Sequence, residues 1–533
     1  MANPVSASRD ADVIVVGAGH NGLIAACYLA RAGLDVLVVE AFEKIGGMTN
    51  TNPMVPEAPD HLINEGGIQA TLFLASTIDA ELELSSKFGL RMRHVDPFHV
   101  QLGPDGESLA MWRDYRRTAE EIRYFSPKDA EAWLKFCRTV DAAIKIGIPM
   151  MRTNPVKPEM SYLLKAIGAA ISECGQFAAM AKWLPNSADE AVHERFEHPL
   201  VRGPMLPSTP FGNFRADFSG WQLIYYGICH RFGAAMFEGG SQAFPAALYR
   251  CLEAAGGRVR TSAPVEQLIV KGGRVAGVRL QGGEEILARK AVVTSLNPKM
   301  VLGRMLPAGV LSDDLTQLVE RIPTKNRGIT DYLLNIALKG KITLPRHQAW
   351  RNKKDGLDLR LPVATWTTQE EALEACDACL RGEVPKVVPG VVQMNTAFDP
   401  SLAPPGHDTL WYYSGVTPQN PRIGWEKARE EITNNVVNQI KQYYSGIDEF
   451  EIGRRTALVP DFENRFWALD GNLWHVDTFM SRSGPLKPAR GLAGYKTPVD
   501  GLFITGSGTH PVAGICGIPG QIAARVVLKN VRK

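Results

Sequence analysis

The stretch Val13-Ile14-Val15-Val16-Gly17-Ala18-Gly19-His20-Asn21-Gly22 decides the fold of this chain. Asp12 to Val16 form a short β-branched run without polar alternation, the pattern of a strand buried on both faces in a parallel sheet. Leu23 to Ala32 then carry the alanine- and leucine-rich pattern of a helix. Each glycine between them has its own reason: Gly17 permits the tight turn, Gly19 lets backbone approach a pyrophosphate, and Gly22 lets the helix pack closely on the strand. Free N–H groups and the positive dipole end at the helix start complete a phosphate site, which takes in Ala18, His20 and Asn21 as well.

A second strand, Asp35 to Val39, ends in Glu40, eighteen residues after Gly22. A carboxylate there accepts both ribose hydroxyls and repels a 2′-phosphate, which disfavours NADP. Ala41 follows, and Gly46-Gly47-Met48 adds a second close backbone approach. The Glu40-x5-Gly46-Gly47 spacing resembles the FAD signature of the amine oxidase and phytoene desaturase flavoproteins. Gly66-Gly67 is either a further approach of this kind or an ordinary loop.

Composition bounds the reading. At 533 residues, with 45% hydrophobic and 22% charged side chains, the chain is ordinary globular material for two to four domains. A net charge of +3 leaves no nucleic-acid footprint. The 8 cysteines follow no disulfide rhythm, which suits a reducing compartment, and Cys376-x-x-Cys379 reads as a helix face with no second pair to hold a metal. Met1 to Asp10 lack a basic region followed by an apolar core, so a cytoplasmic location is expected. No window reaches the roughly 18 apolar residues of a spanning helix. Leu163 to Leu184 comes nearest, interrupted by Lys165, Glu173 and Lys182. It reads as a mostly buried helix, with a substrate tunnel or peripheral membrane docking as alternatives.

Phe237-Glu238-Gly239-Gly240-Ser241 opens a helix from Ala246 to Ala255, followed by a strand pattern around Val265, a hairpin turning at Gly272-Gly273, and the apolar strand Ala291 to Thr294. Thr497 to Thr505 read as a turn and a buried strand. They lead into Gly506-Ser507-Gly508-Thr509-His510-Pro511-Val512-Ala513-Gly514-Ile515-Cys516-Gly517-Ile518-Pro519-Gly520. A final helix starting near Gly517 to Gln521 would present the N–H groups of Gly517 and Ile518 to charge developing at a flavin N1–C2=O edge.

This closing run resembles the signature that ends bacterial phytoene desaturases, and the likeness extends over nearly the whole chain to the desaturase-like carotenoid 4-ketolases. Tyr124-Phe-Ser-Pro-Lys-Asp-Ala130, Asp399-Pro-Ser-Leu-Ala-Pro-Pro-Gly406-His-Asp-Thr-Leu-Trp411 and Gly471-Asn-Leu-Trp-His475-Val-Asp477 carry it further. The resemblance implies an α/β fold. A Rossmann-type FAD-binding domain of the glutathione-reductase-like, amine oxidase/phytoene desaturase variant, residues 1–90, 237–300 and 491–533, is expected to be interleaved with a mixed α+β substrate domain. The latter takes residues 91–236, largely helical, and 301–490, with a long helix near Trp425 to Tyr444.

The resemblance also implies non-covalent FAD, met by Val265 at the adenine and by Gly506 and Ser507, and hydride transfer from an apolar substrate to flavin N5 with formation of a carbon–carbon double bond. A carotenoid ketolase, an oxidase of another small apolar or amine substrate, and a non-redox flavin-dependent isomerase are the alternatives. Two departures bear on the substrate. Ser507 stands where many relatives have an acidic residue or alanine, and Thr478 to Leu492 lack the Leu-Asp-Gln pattern of the ketolase-like members. A redox cysteine pair and a second strand-GxGxxG-helix are absent, as is the Asp-Gly-x-x-Ser-x-x-Arg of aromatic hydroxylases, so oxygen, a quinone or another acceptor is expected to reoxidise the flavin. Hydride transfer needs mainly a well-placed C–H bond and exclusion of water. His475, Asp477 and His510 are the candidates to line the reaction site, with a structural hydrogen bond as the alternative for His510.

Overall fold

The computed structural model describes residues 10–206, 213–479 and 482–531; residues 1–9, read above for a targeting signal, lie outside them. Ala11–Val16 sits inside a parallel sheet, with Val13 opposite Val36 of Val36–Val39 on one side and opposite Ala291 of Glu285–Thr294 on the other. Arg258–Arg260 and Leu502–Ile504 extend the parallel layer at its two ends. Val36–Val39 is buried at every position, as an unbroken apolar run requires when both faces of a sheet are covered. The start of Glu285–Thr294 leaves the parallel layer and pairs antiparallel with Arg274–Leu280, which turns at Gly272-Gly273 into Val265–Lys271. Helices His20–Arg31, Ala243–Ala254 and Ile518–Val531 pack their buried faces together with the first two strands.

The second sheet runs, in spatial order, Glu451–Ala457, Ile329–Leu338, Asp408–Pro418, Val391–Met394, Val363–Thr365, His99–Leu102 and Ser108–Met111. Its last two strands come from the stretch read as largely helical. Both are buried along their whole length, and at four residues each they are too short for a period to announce them. The long helix falls at Trp425–Tyr443, close to its expected place.

Leu163 to Leu184 differs from the reading made of it. The helix Met160–Ser172 breaks at Cys174–Gln176 and resumes as Phe177–Ala181, and of its first part only Ala166 is buried. Met160, Leu164, Ile167 and Ile171 are exposed by 65%, 60%, 46% and 71%. At this helical spacing they form one stripe that faces outward rather than into a core. No described helix is long and apolar enough to cross a membrane. Cys376 and Cys379 are buried on the helix Gln369–Leu380, and the described residues contain no cluster fit to hold a metal ion.

Candidate active site

The first glycine loop separates into parts that serve the fold and parts that serve an occupant. Gly17 has φ +95°, and a Cβ on Gly22 would lie 2.1 Å from the Gly17 carbonyl oxygen, so helix and turn meet only without side chains. Gly19 is different. Its φ of −65° suits any residue, and a Cβ there would meet nothing within 4 Å. A Cβ on Gly47 would touch only the Gly19 Cα, at 3.5 Å. Protein packing does not demand glycine at position 19; a pyrophosphate resting on the backbone does. Glu40 is buried, its two carboxylate oxygens accepting the N–H groups of Ala18 at 2.7 Å and Phe42 at 3.1 Å. Burial raises its pKa and these N–H groups lower it. Each oxygen keeps a second lone pair for a ribose hydroxyl. These features fit FAD.

A groove of about 120 Å³ runs from Glu40 and Ala41 past Gly17, Gly19 and Asn21 to Gly506 and Ser507, with Gly46, Gly47, Met48 and Val265 in its wall. Ala18 and Gly22 shape it without lining it. Phe42, Asn297, Arg465 and Trp467 also line it and were not foreseen. Arg465, on the helix Val459–Phe466, pairs with Glu65 at 2.9 Å and lies 4.5 Å from the centre of the Phe42 ring. No short motif links a residue so far along the chain to the first βα unit.

His20, Met48 and Ser507 also line a second cavity, of about 240 Å³, so the groove leads directly into it. Gly66 and Gly67 belong to this cavity's wall. Trp411 and Tyr413 stack with ring centres 5.7 Å apart and planes 13° from parallel. The Tyr413 hydroxyl donates to Asp331 at 2.6 Å and the Tyr225 hydroxyl to Gln69 at 2.7 Å. Asp331 stands behind the wall, its pKa pushed up to about 7 by burial against the opposing pull of Tyr413 and Trp474. Among the described residues no aspartate, glutamate, lysine or arginine lines this cavity. Burial also pushes its histidines down, His20 to about 4 and His99 to about 3, so the whole wall is uncharged at neutral pH.

The three catalytic candidates separate. His475 lines the groove, with φ +64°, and its carbonyl accepts the Asn297 side-chain N–H at 2.7 Å. A non-glycine residue in this region is held there by its surroundings, a frequent property of site residues. Burial, with Lys487 and His20 nearby, lowers its ring pKa to about 4. Asp477 lines neither space. Its Oδ1 accepts the Asn326 backbone N–H at 2.7 Å and the Asn472 side chain at 3.0 Å, and Asn472 in turn accepts the Trp474 N–H. Asp477 therefore braces the turn that presents Trp474 and His475. His510 also lines neither; its Nε2 lies 3.1 Å from the Met150 carbonyl and ties the closing loop to the helix Pro127–Met151.

The closing loop reaches the groove through Gly506 and Ser507 and the apolar cavity through Gly514 and Ile515. Gly517 and Ile518 line neither, contrary to the role expected of them, and their N–H groups lie beside the Cys516 sulfur. A Cβ on Gly520 would lie 2.3 Å from the Asn21 carbonyl oxygen, so the first and last helices meet start to start.

A dinucleotide groove opening into an uncharged cavity, on this pair of sheets, defines a flavin-dependent oxidoreductase. Residues 22–524 match the family model "Flavin containing amine oxidoreductase", and the chain belongs to that family; FAD is its cofactor. It is 29% identical to the hydroxyneurosporene desaturase of Rubrivivax gelatinosus, across 100% of this chain and 95% of that one. It is 25% identical to the mouse pyridine nucleotide-disulfide oxidoreductase domain-containing protein 2, across 98% and 94%. A solved variant of putrescine oxidase shares the fold with a TM-score of 0.60 at 16% identity, covering 98% of this chain and 99% of the other.

Proposed function

We propose that the protein removes hydrogen from a neutral, compact, apolar molecule to form a carbon–carbon double bond, and that oxygen or a quinone then takes the electrons. Bound FAD supplies the hydride acceptor. The chain's own part is to bind, orient and dry the substrate. Trp411 and Tyr413 offer a flat apolar wall, Asp331 and Gln69 fix the two tyrosine hydroxyls, and His20, Met48 and Ser507 form the passage between substrate and cofactor.

The uncharged cavity wall carries this reading. An ammonium group entering it would shed its water with no carboxylate to replace it, at a cost of several kcal/mol, which disfavours an amine. The size of the cavity supports a compact substrate, since about 240 Å³ lies below the roughly 300–1,000 Å³ usual for ligand sites. Mixed anaerobically with the yellow holoprotein, small terpene hydrocarbons and alcohols are expected to bleach the flavin and short-chain diamines are not. Bleaching by the diamines alone would overturn the proposal.

The outward stripe Met160, Leu164, Ile167 and Ile171, with Lys157, Lys165 and Lys182 exposed around it, suits an anionic membrane surface and a substrate drawn from it. Wild-type protein is expected to float with vesicles containing phosphatidylserine. The double variant Leu164→Lys, Ile171→Lys is expected to stay behind with its FAD content unchanged. A wild type that does not float removes membrane docking from the proposal.

A further inference from the structure

Lys487 is fully buried, and its Nζ has no hydrogen-bond partner and no carboxylate in salt-bridge range among the described residues. Its electrostatic neighbours are Cys516 in the closing loop, His510 in the same loop and His475 in the groove wall. Nδ1 of both histidines is likewise buried without a partner. None of these neighbours carries a negative charge: the imidazoles are pushed down to about 4 and the Cys516 thiol up to about 11, each chiefly by burial. Among the described residues His20 and Tyr495 also face the cluster, and both are neutral: the Tyr495 hydroxyl donates to the His510 carbonyl, and burial raises its pKa.

A lone buried ammonium is expensive, and no group among the described residues supplies its counter-charge. Its position indicates what does. Lys487 lies beside Cys516 and His510 of Gly506–Ile518, the loop whose glycines line both the cofactor groove and the substrate cavity, and beside His475 of the groove wall, which puts it near the junction where the flavin ring has to lie. Lys487 itself lines neither the groove nor the cavity; it stands one layer behind them, next to these three residues.

We propose that Lys487 sets the electron affinity of the bound flavin, its buried ammonium supplying the positive charge that balances the negative charge gained by the ring on reduction. It is a positioning residue, acting through the loop without touching the substrate. Burial lowers its pKa to about 8, which leaves it mostly protonated at neutral pH, and a negative charge arriving nearby raises that pKa again. In this arrangement Lys487 does for the ring what the N–H groups of Gly517 and Ile518 were expected to do.

The test compares wild type, Lys487→Met and Lys487→Arg as FAD-loaded proteins, reading the flavin midpoint potential and the affinity for sulfite, which adds to the ring and leaves it anionic. Lys487→Met, with FAD retained, is expected to show a lower potential and sulfite binding weaker by about tenfold or more, the effect of one unit charge at close range in a protein. Lys487→Arg is expected to keep both near wild type. A Lys487→Met protein with FAD bound and both quantities unchanged would overturn the proposal. Should Lys487→Met not fold, wild type alone decides. Its potential is expected to fall more steeply with pH above about 8 than below, because reduction then draws a proton back onto Lys487. A slope unbroken across that pH overturns the proposal equally.

Discussion

Gly19→Val is expected to fold like wild type in the absence of FAD and to bind FAD at least about tenfold more weakly, because its side chain fills the pyrophosphate cradle. The prediction rests on the contrast between Gly19 and Gly22. Nothing in the protein lies within 4 Å of a Cβ at position 19, and the backbone there is one that valine adopts readily. Overpacking against a bound phosphate costs about 1–3 kcal/mol, or roughly ten- to a hundredfold in affinity, before any lost N–H contact is counted. At Gly22 a Cβ would stand 2.1 Å from backbone, so Gly22→Val should lose the fold itself. Thermal melting of the apoproteins, with FAD titration of the folded ones, separates the two. Wild-type affinity in Gly19→Val would mean that the cofactor does not rest on this loop.

The features legible in the sequence were those in which a backbone requirement falls on one residue. Gly17, Gly22 and Glu40 are of this kind: a turn, a close helix–strand contact and an acid at the end of the second strand are all set within one βα unit. The substrate cavity is not, since its wall joins Tyr225 from a helix, Trp411 and Tyr413 from a central strand and Ile515 from the closing loop. Those side chains look like core until the two sheets are assembled, and Arg465 gives no local signal at all. Met160 to Ile171 misled in the opposite direction, because an apolar stripe has the same period whether it faces a core or the outside. Asp477 lies in a motif that resembles a family signature, yet its carboxylate is spent on holding the Asn326 backbone and the Asn472 side chain. The fully buried Lys487 has no sequence signal either, since its neighbours Cys516, His510 and His475 lie elsewhere along the chain.

Gly517 shows how far a correct motif can mislead about the role of one residue within it. Its place at the start of the last helix suggests that a side chain there would press on the flavin. The structure instead points that side chain into the core of the cofactor domain, 2.4 Å from Ile24 Cδ1 and 2.9 Å from Ile78 Cδ1, both side chains fully buried. The backbone at φ +73° adds its own penalty, because a β-branched residue is a genuine outlier in the left-handed region. Strain of about 1–3 kcal/mol and overpacking of about 1–3 kcal/mol together take a large part of the 5–15 kcal/mol by which folded proteins are stable. Gly517→Val is therefore expected to melt several degrees below wild type by tryptophan fluorescence, while its folded fraction keeps the wild-type flavin spectrum and rate of reduction. A protein that melts like wild type but has a shifted flavin spectrum would put position 517 back against the ring, and would leave Ile24 and Ile78 as side chains that yield to it.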